Sequence, residues 1–343
     1  KEELPEREVD SVLRLQNADS IVRYKKITYL SQYYYYLSQI QGIDEVNSYL
    51  DKKYGDTDIL LEQDFSLKDG LTFLVGKNGA GKTTLIRLST GLEAVTAGRI
   101  DLFGRPVTQI DKDIKRRLGL QLQNDSFLRN VRVGEYIRLY EALYEGEGGA
   151  KKQENLESNA DKGVNTVKIR EILEIDHLFK RYAYTLSGGE KKKVSLYLTL
   201  IGNRELIILD EPTAGIDVEV KDRIVSVIIY LRECGVNLLI SSHDLEEFYG
   251  IADNILMLDR GFVFDGTKEI FQRKYNYPYK VCTERNIQDS GVLEGDLFEK
   301  KYLYGRDIET LLKYFDRNKI EQTTAKDLYQ IALLDGRKRG QML

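Results

Sequence analysis

LTFLVGKNGAGKTTLIRLS, residues 71–89, sets an apolar run, a glycine-rich loop and an amphipathic run end to end. Leu71 to Val75 is continuous apolar sequence, the pattern of a strand buried on both faces of a parallel sheet. The loop fits G-x-x-x-x-G-K-[ST] with Gly76, Gly81, Lys82 and Thr83 at the required positions. Its backbone N–H groups can turn inward around phosphate oxygens, which makes Asn78, Gly79 and Thr84 candidates for the same cradle. The helix that starts near Lys82 adds the positive end of its dipole. Lys82 would reach the β- and γ-phosphates, and Thr83 would hold Mg²⁺ through its hydroxyl. Strand, loop and helix in this order predict an α/β fold around a nucleotide site. The loop alone does not choose among kinases, GTPases, helicases, motors and transporters.

Outward from the loop, LIILDEP (206–212) is a second buried strand, ending in two carboxylates. Ligands of open α/β sheets are met at the carboxyl ends of the strands. Asp210 would bind Mg²⁺ directly or through water, and Glu211 can polarise an attacking water as general base. LSGGE (186–190) precedes the helical run KKKVSLYLTLIG. Ser187, Gly188 and Gly189 at a helix start make a compact anion site of bare N–H groups and a hydroxyl. If the two helix starts lie far apart, the two phosphate sites cannot both serve one nucleotide within one chain. A second copy arranged head to tail would let this loop close on its partner's ATP. Lys191, Lys192 and Lys193 read as a solvated helix face rather than a nucleic-acid patch. His177 has no motif around it.

These elements in this order resemble the ATP-binding cassette (ABC) family over about residues 43–270. GKNGAGKT and LIILDE match its two nucleotide-binding motifs, and LSGGE matches its signature with Glu190 in place of the more usual glutamine. Four smaller matches follow from the resemblance. Tyr54, in KKYGD, sits where the family stacks an aromatic on adenine. Gln123, in LGLQLQND, sits at the glutamine loop that touches the metal and senses the membrane partner. Gln121 is a neighbouring candidate, but Gln123 has the better spacing from Leu118 and Gly119. Asp217, in AGID, matches the aspartate loop that contacts the other subunit, and His243, closing NLLISSHD, matches the switch histidine on the γ-phosphate. The resemblance implies a P-loop NTPase cassette: a RecA-like mixed or parallel sheet core, an antiparallel β subdomain and an α-helical subdomain. It also implies two cassettes sandwiching two ATP molecules with Mg²⁺, with Glu211, His243, Gln123 and Lys82 as the catalytic set.

The chain has 343 residues, room for one nucleotide-binding domain and about 100 residues more. Helical spacing at Ile27, Leu30, Tyr33, Tyr34 and Leu37 predicts an N-terminal helical extension over 1–41. A cassette domain over 42–270 follows, with its helical subdomain at about 124–200. Residues 271–343 form a small α+β tail, with a strand at PYKVC and helices at DIETLLKYFDR and AKDLYQIALL. Residues 112–182 look mainly helical, interrupted by a polar, glycine-containing surface loop at 145–163. With 51 basic and 55 acidic residues the net charge is −4, so no nucleic-acid partner is expected. Cys234 and Cys282 have neither a CxxC spacing nor histidine neighbours, which fits a reducing, cytoplasmic setting without structural zinc. The longest apolar segments fall short of the ~18–20 residues a membrane span needs. Since the chain opens on Lys1, some upstream sequence is expected to be missing.

A single compact cassette of this kind resembles the separate ATPase subunit of a transporter. Its expected partners are a second cassette, identical or paralogous, and an integral membrane permease that holds it at the inner face of the cell membrane. The closing AKDLYQIAL segment is similar to that of exporter-type cassettes, so export of a drug, peptide, lipid or polysaccharide is expected. The alternatives are an importer subunit and a soluble cassette ATPase acting on a macromolecular complex.

Overall fold

The computed structural model describes residues 13–16 and 65–340, apart from 95–98, 124–126, 129, 146–163, 203, 260, 286, 288–291 and 298–299. In chain order the first ten strands are Leu13–Gln16 (β1), Phe65–Ser66 (β2), Leu71–Val75 (β3), Arg99–Leu102 (β4), Arg105–Pro106 (β5), Leu118–Gln121 (β6), Leu206–Asp210 (β7), Asn237–Ser242 (β8), Asn254–Leu258 (β9) and Phe262–Thr267 (β10).

A six-stranded sheet in the order β10-β9-β3-β8-β7-β6 forms the centre. Its strands run parallel except β10, which pairs antiparallel with β9. Every residue of β3, β7 and β9 is buried, as apolar strands covered on both faces must be. Side chains alternate between faces, and that alternation divides the interior into two cores. Phe73, Ile207, Ile240 and Met257 face one core, which also takes apolar residues of the helices Gly188–Leu200 and Val218–Glu233. Leu74, Ile208, Leu239 and Leu256 face the other, with Leu85, Ile86 and Leu88 of the helix Lys82–Ser89. The second core is closed by an antiparallel sheet, β2-β1-β4-β5, which contributes Phe65, Ile100 and Leu102.

Two segments depart from the reading of the sequence. Leu13–Gln16 lies within the expected N-terminal helical extension, yet it is a strand paired with β2 and β4. LRLQ alternates apolar and polar residues, a period of two, and its partners lie far along the chain. The Tyr-rich helix expected around residues 27–37 lies outside the described residues, as does the polar loop over 146–163. Leu118–Gln121, inside the stretch read as mainly helical, is the edge strand of the main sheet. The helices Val133–Glu145, Thr166–Leu173 and Gly188–Leu200 make up the helical region beyond it.

After the helix Lys268–Lys274 a third sheet follows, built from Tyr279–Cys282 (β11), Val292–Leu297 (β12), Lys300–Gly305 (β13) and Glu321–Gln322 (β14) in the order β12-β13-β11-β14. The helix Ala325–Gly340 brings Ile331, Ala332 and Leu333 into the same core as Phe248 and Phe271. Inside this region the Asp327 carboxylate is fully buried. It accepts from Lys280 Nζ at 2.8 Å, from Tyr304 Oη at 3.2 Å and from Thr324 N and Oγ1 at 2.7 and 2.9 Å.

The start of β3 is fixed by Asp253, whose Oδ2 accepts from Leu71 N and from Arg232 Nε, both at 2.9 Å. A Cβ on Gly70, at φ +92°, would meet that same oxygen at 2.6 Å, so the carboxylate and the bare backbone fit each other.

Removing one partner of a buried ion pair strands the other charge, so Asp327→Ala should destabilise the protein by about 3 kcal/mol, measured as a lower thermal midpoint. Hydrogen bonds from Arg232 hold the Asp253 carboxyl below its ordinary value against the opposing effect of burial. A depressed carboxylate stabilises the fold above its unfolded pKa and loses that contribution as pH falls through the lower folded value. Asp253→Asn should therefore cost about 2–4 °C in Tm near neutral pH, and the gap from wild type should close in strong acid.

Candidate nucleotide site

Register places the motifs side by side. β3, β8, β7 and β6 are successive neighbours, with Val75 opposite Ser242, Asp210 opposite Ser241, and Leu209 opposite both Ile240 and Gln121. The glycine loop leaves β3, His243 follows β8, Glu211 follows β7 and Gln123 lies two residues beyond β6. Strands spaced about 4.8 Å apart thus deliver all four to one edge of the sheet.

Within the loop, two glycines are required by geometry. A Cβ on Gly76 would stand 2.7 Å from the Leu258 carbonyl oxygen, and Gly81 takes φ +101° as the residue that starts the helix Lys82–Ser89. No side-chain hydrogen bond caps that helix at Gly81, so its start is suited to an anion. Lys82 Nζ curls into the loop, donating to Gly76 O at 2.7 Å and Lys77 O at 3.2 Å, and lies 3.5 Å from Glu211 Oε1. Burial holds its ammonium below the usual lysine value, with Glu211 and Asp210 pulling the other way. Such a desolvated cation is suited to phosphate oxygens.

Thr83 Oγ1 donates to Asp210 Oδ2 at 2.8 Å. That hydroxyl, the Asp210 carboxylate and the amide oxygen of Gln123 are hard oxygen donors, the kind Mg²⁺ takes beside nucleotide phosphates. Glu211 stands at φ +47°, an uncommon conformation for a side-chain-bearing residue. Its carboxylate is the common neighbour of the set. Besides Lys82, Oε2 lies 3.4 Å from Gln123 Nε2 and 3.3 Å from His243 Nδ1. Lys82, Thr83, Asp210, Glu211, Gln123 and His243 are therefore gathered in one place.

Ser187, Gly188, Gly189 and Asp217 are held in a separate group. Ser187 and Glu190 form a reciprocal capping box at the start of Gly188–Leu200, and Arg181 Nη1 donates to Glu190 Oε1 at 2.6 Å. Asp217 caps Val218–Glu233 by accepting from Val220 N at 2.9 Å. A Cβ on Gly189 would meet Val220 Cγ2 at 3.1 Å, so the two helix starts are neighbours. Tyr54 lies outside the described residues. His177 is exposed on the short turn Asp176–Leu178.

One further residue had no reading from sequence, and another was read otherwise. Ser241 Oγ donates to Asp210 Oδ1 at 2.5 Å and accepts from Glu211 N at 2.9 Å, fixing both acids with one hydroxyl. Its signal is a pair of serines closing an otherwise apolar buried strand. Lys192, expected on a solvated face, is buried together with Lys193. Lys192 Nζ donates to Gln123 O at 2.7 Å and ties the helix after LSGGE to the glutamine turn.

Comparison with known proteins agrees with this geometry. A sequence profile described as ABC transporter matches residues 62–214. An ABC transporter ATP-binding protein of Archaeoglobus fulgidus is 35% identical over 206 residues, 59% of this chain and 80% of that protein. The linearmycin resistance ATP-binding protein of Bacillus subtilis is 30% identical over 63% of this chain and 67% of its own length. A maltose/maltodextrin import ATP-binding protein of Vibrio vulnificus is also 30% identical, over 66% of this chain and 58% of its own. A solved ATP-binding subunit of an ABC transporter superposes with a TM-score of 0.55 at 21% identity, covering 65% of this chain and 89% of that one, which bears on the fold. The chain belongs to the ABC transporter family as an ATP-binding, ATP-hydrolysing cassette.

Ser241→Ala removes the partner shared by Asp210 and Glu211. Losing such a hydrogen bond costs about 1–3 kcal/mol. ATPase kcat is expected to fall roughly tenfold or more, with KM for ATP changed much less. An unchanged kcat would show that the serine bridge does not hold the acids in place.

Proposed function

We propose that this chain powers export through a separate membrane permease by closing head to tail on a second cassette. The observation that carries the pairing is the exposed surface made by the two neighbouring helix starts. Ser187 and Gly188 on one and Asp217 and Val218 on the other are exposed, and Val218 keeps 74% of its surface in water. Ser187, with the N–H groups behind it, offers phosphate ligands outward. Those ligands suit the ATP lying on the glycine loop of another copy.

In this reading Lys82 holds the β- and γ-phosphates, and Glu211 accepts a proton from the water that attacks the γ-phosphorus. His243 turns its imidazole toward the γ-phosphate, while Thr83, Asp210 and Gln123 would hold Mg²⁺. Bound with ATP, Mg²⁺ neutralises charge on the phosphate oxygens. Tyr54 stacks on adenine. The contacts Glu211 makes with Lys82, Gln123 and His243 keep its carboxylate near the reaction before nucleotide arrives.

A membrane partner is supported by apolar side chains standing in water on the helical region. Leu139 and Leu143, four residues apart on one face of Val133–Glu145, are 50% and 57% exposed, and Leu128 is 69% exposed. Among the described residues no helix is long and apolar enough to cross a membrane. The assignment of the membrane path to another chain, with the cassette at its cytoplasmic face, rests on the likeness to ABC transporter ATP-binding proteins. Export is the proposed direction on the likeness of the closing AKDLYQIAL segment, which opens the helix Ala325–Gly340, to that of exporter-type cassettes. Because Leu13–Gln16 pairs with β2 and β4, the cassette is proposed to take in that strand as well as the expected 42–270, with 271–343 as an accessory region.

Purified gently from its native membranes, the tagged chain should bring down a multi-span membrane protein at about one to one. Recovery on ribosomes, or with no membrane protein, would sink the transport reading and leave the ATPase standing. Glu211→Gln, given ATP and Mg²⁺, should run as a dimer by light scattering and hydrolyse far below the wild-type rate.

A further inference from the structure

Glu247 occupies a position that the motifs leave unexplained. It sits on the short helix Leu245–Tyr249 just past His243, and only 6% of its side chain is exposed. A carboxylate this buried must be matched by partners, and each of its oxygens has one. Oε2 accepts from Ser242 Oγ at 2.6 Å, and Oε1 lies 2.8 Å from Lys221 Nζ.

The two partners belong to different parts of the site. Ser242 Oγ also accepts from Asp244 N at 3.0 Å, so one hydroxyl spans the turn on both sides of His243. Lys221 lies in the first turn of Val218–Glu233, with its N–H bonded to Asp217 O at 3.0 Å. The Glu247 carboxylate therefore joins the turn that carries His243 to the helix that Asp217 caps. The His243 side chain is 49% exposed, so this turn, rather than packing around the ring, decides where the imidazole points.

We propose that Glu247 is a positioning residue that sets His243 against the Asp217 helix, so that the histidine is aligned for hydrolysis only when that helix is in place. This rests on the reading of His243 as a ligand of the γ-phosphate. It also gives the surface facing the second cassette a route into the chain's own site. Closure on a partner moves Asp217, and Lys221, Glu247 and Ser242 carry the displacement to His243. Glu247 acts through Ser242 and Lys221 in this arrangement, not on the nucleotide itself.

The experiment is a double-mutant cycle on steady-state ATPase of the full chain, combining Glu247→Gln with His243→Ala. Lys221→Met is run in parallel. Lys221 is one-third exposed, so its replacement removes the same link from a site that tolerates change. Each single link variant should lower kcat at least fivefold with KM for ATP within twofold, and Lys221→Arg should restore most of the rate. In the His243→Ala background neither Glu247→Gln nor Lys221→Met should lower the rate further. Additive losses in that background, or link variants with wild-type kcat beside an impaired His243→Ala, would overturn the coupling and leave the site reading intact. A His243→Ala enzyme with wild-type kcat would overturn both.

Discussion

One hydroxyl, that of Ser241, governs the geometry of the whole site. It can donate one hydrogen bond while accepting another, and here it donates to Asp210 and accepts from the backbone of Glu211. Those two acids are adjacent in sequence but must serve different ends, one beside the Thr83 hydroxyl and the other beside Lys82 and His243. The chain separates them by turning Glu211 into the left-handed region, where a side chain is strained. The serine on the neighbouring strand is what compensates that turn. It can do so only because β8 lies against β7 with Ser241 opposite Asp210. A slip of one residue would send its hydroxyl to the other face.

Register in turn depends on the division of the interior. The alternating residues of β3, β7, β8 and β9 feed two separate cores, so every strand is held from both sides and none can slide alone. Register therefore fixes the strand ends, while His243 and Gln123 lie in the turns that follow, within hydrogen-bonding or ion-pair reach of Glu211.

Much of this was legible in the amino-acid sequence because it is local. Leu71–Val75, the glycine loop and the following helix are contiguous, and LIILDE carries its strand and its two acids in six residues. LRLQ at 13–16 was not, because its strand character comes from pairing with Arg99–Leu102, more than eighty residues away. Lys192 and Lys193 were read as solvated because lysine usually is. Their burial, and the bond from Lys192 Nζ to Gln123 O, are properties of the assembled fold. The hairpin of β12 and β13 was missed for a similar reason: VLEGDL and KKYLYG carry charge and glycine, and their apolar members find cover only when the last helix docks. Ser241 and Glu247 needed the register and the tertiary contacts, respectively, before either had a role.

The position of Lys82 has a thermodynamic consequence for the first step of the cycle. Its ammonium already donates to two loop carbonyls and lies beside Glu211. A triphosphate entering the loop does not add a partner to a bare cation; it exchanges one set of oxygens for another. The heat released on binding is then the difference between two satisfied arrangements, smaller than the attraction between a lysine and a phosphate taken alone. Affinity in this cassette is accordingly a poor gauge of how strongly the loop grips its ligand, and in the proposed mechanism the Glu211 carboxylate given up by Lys82 is the one that would face the reacting water.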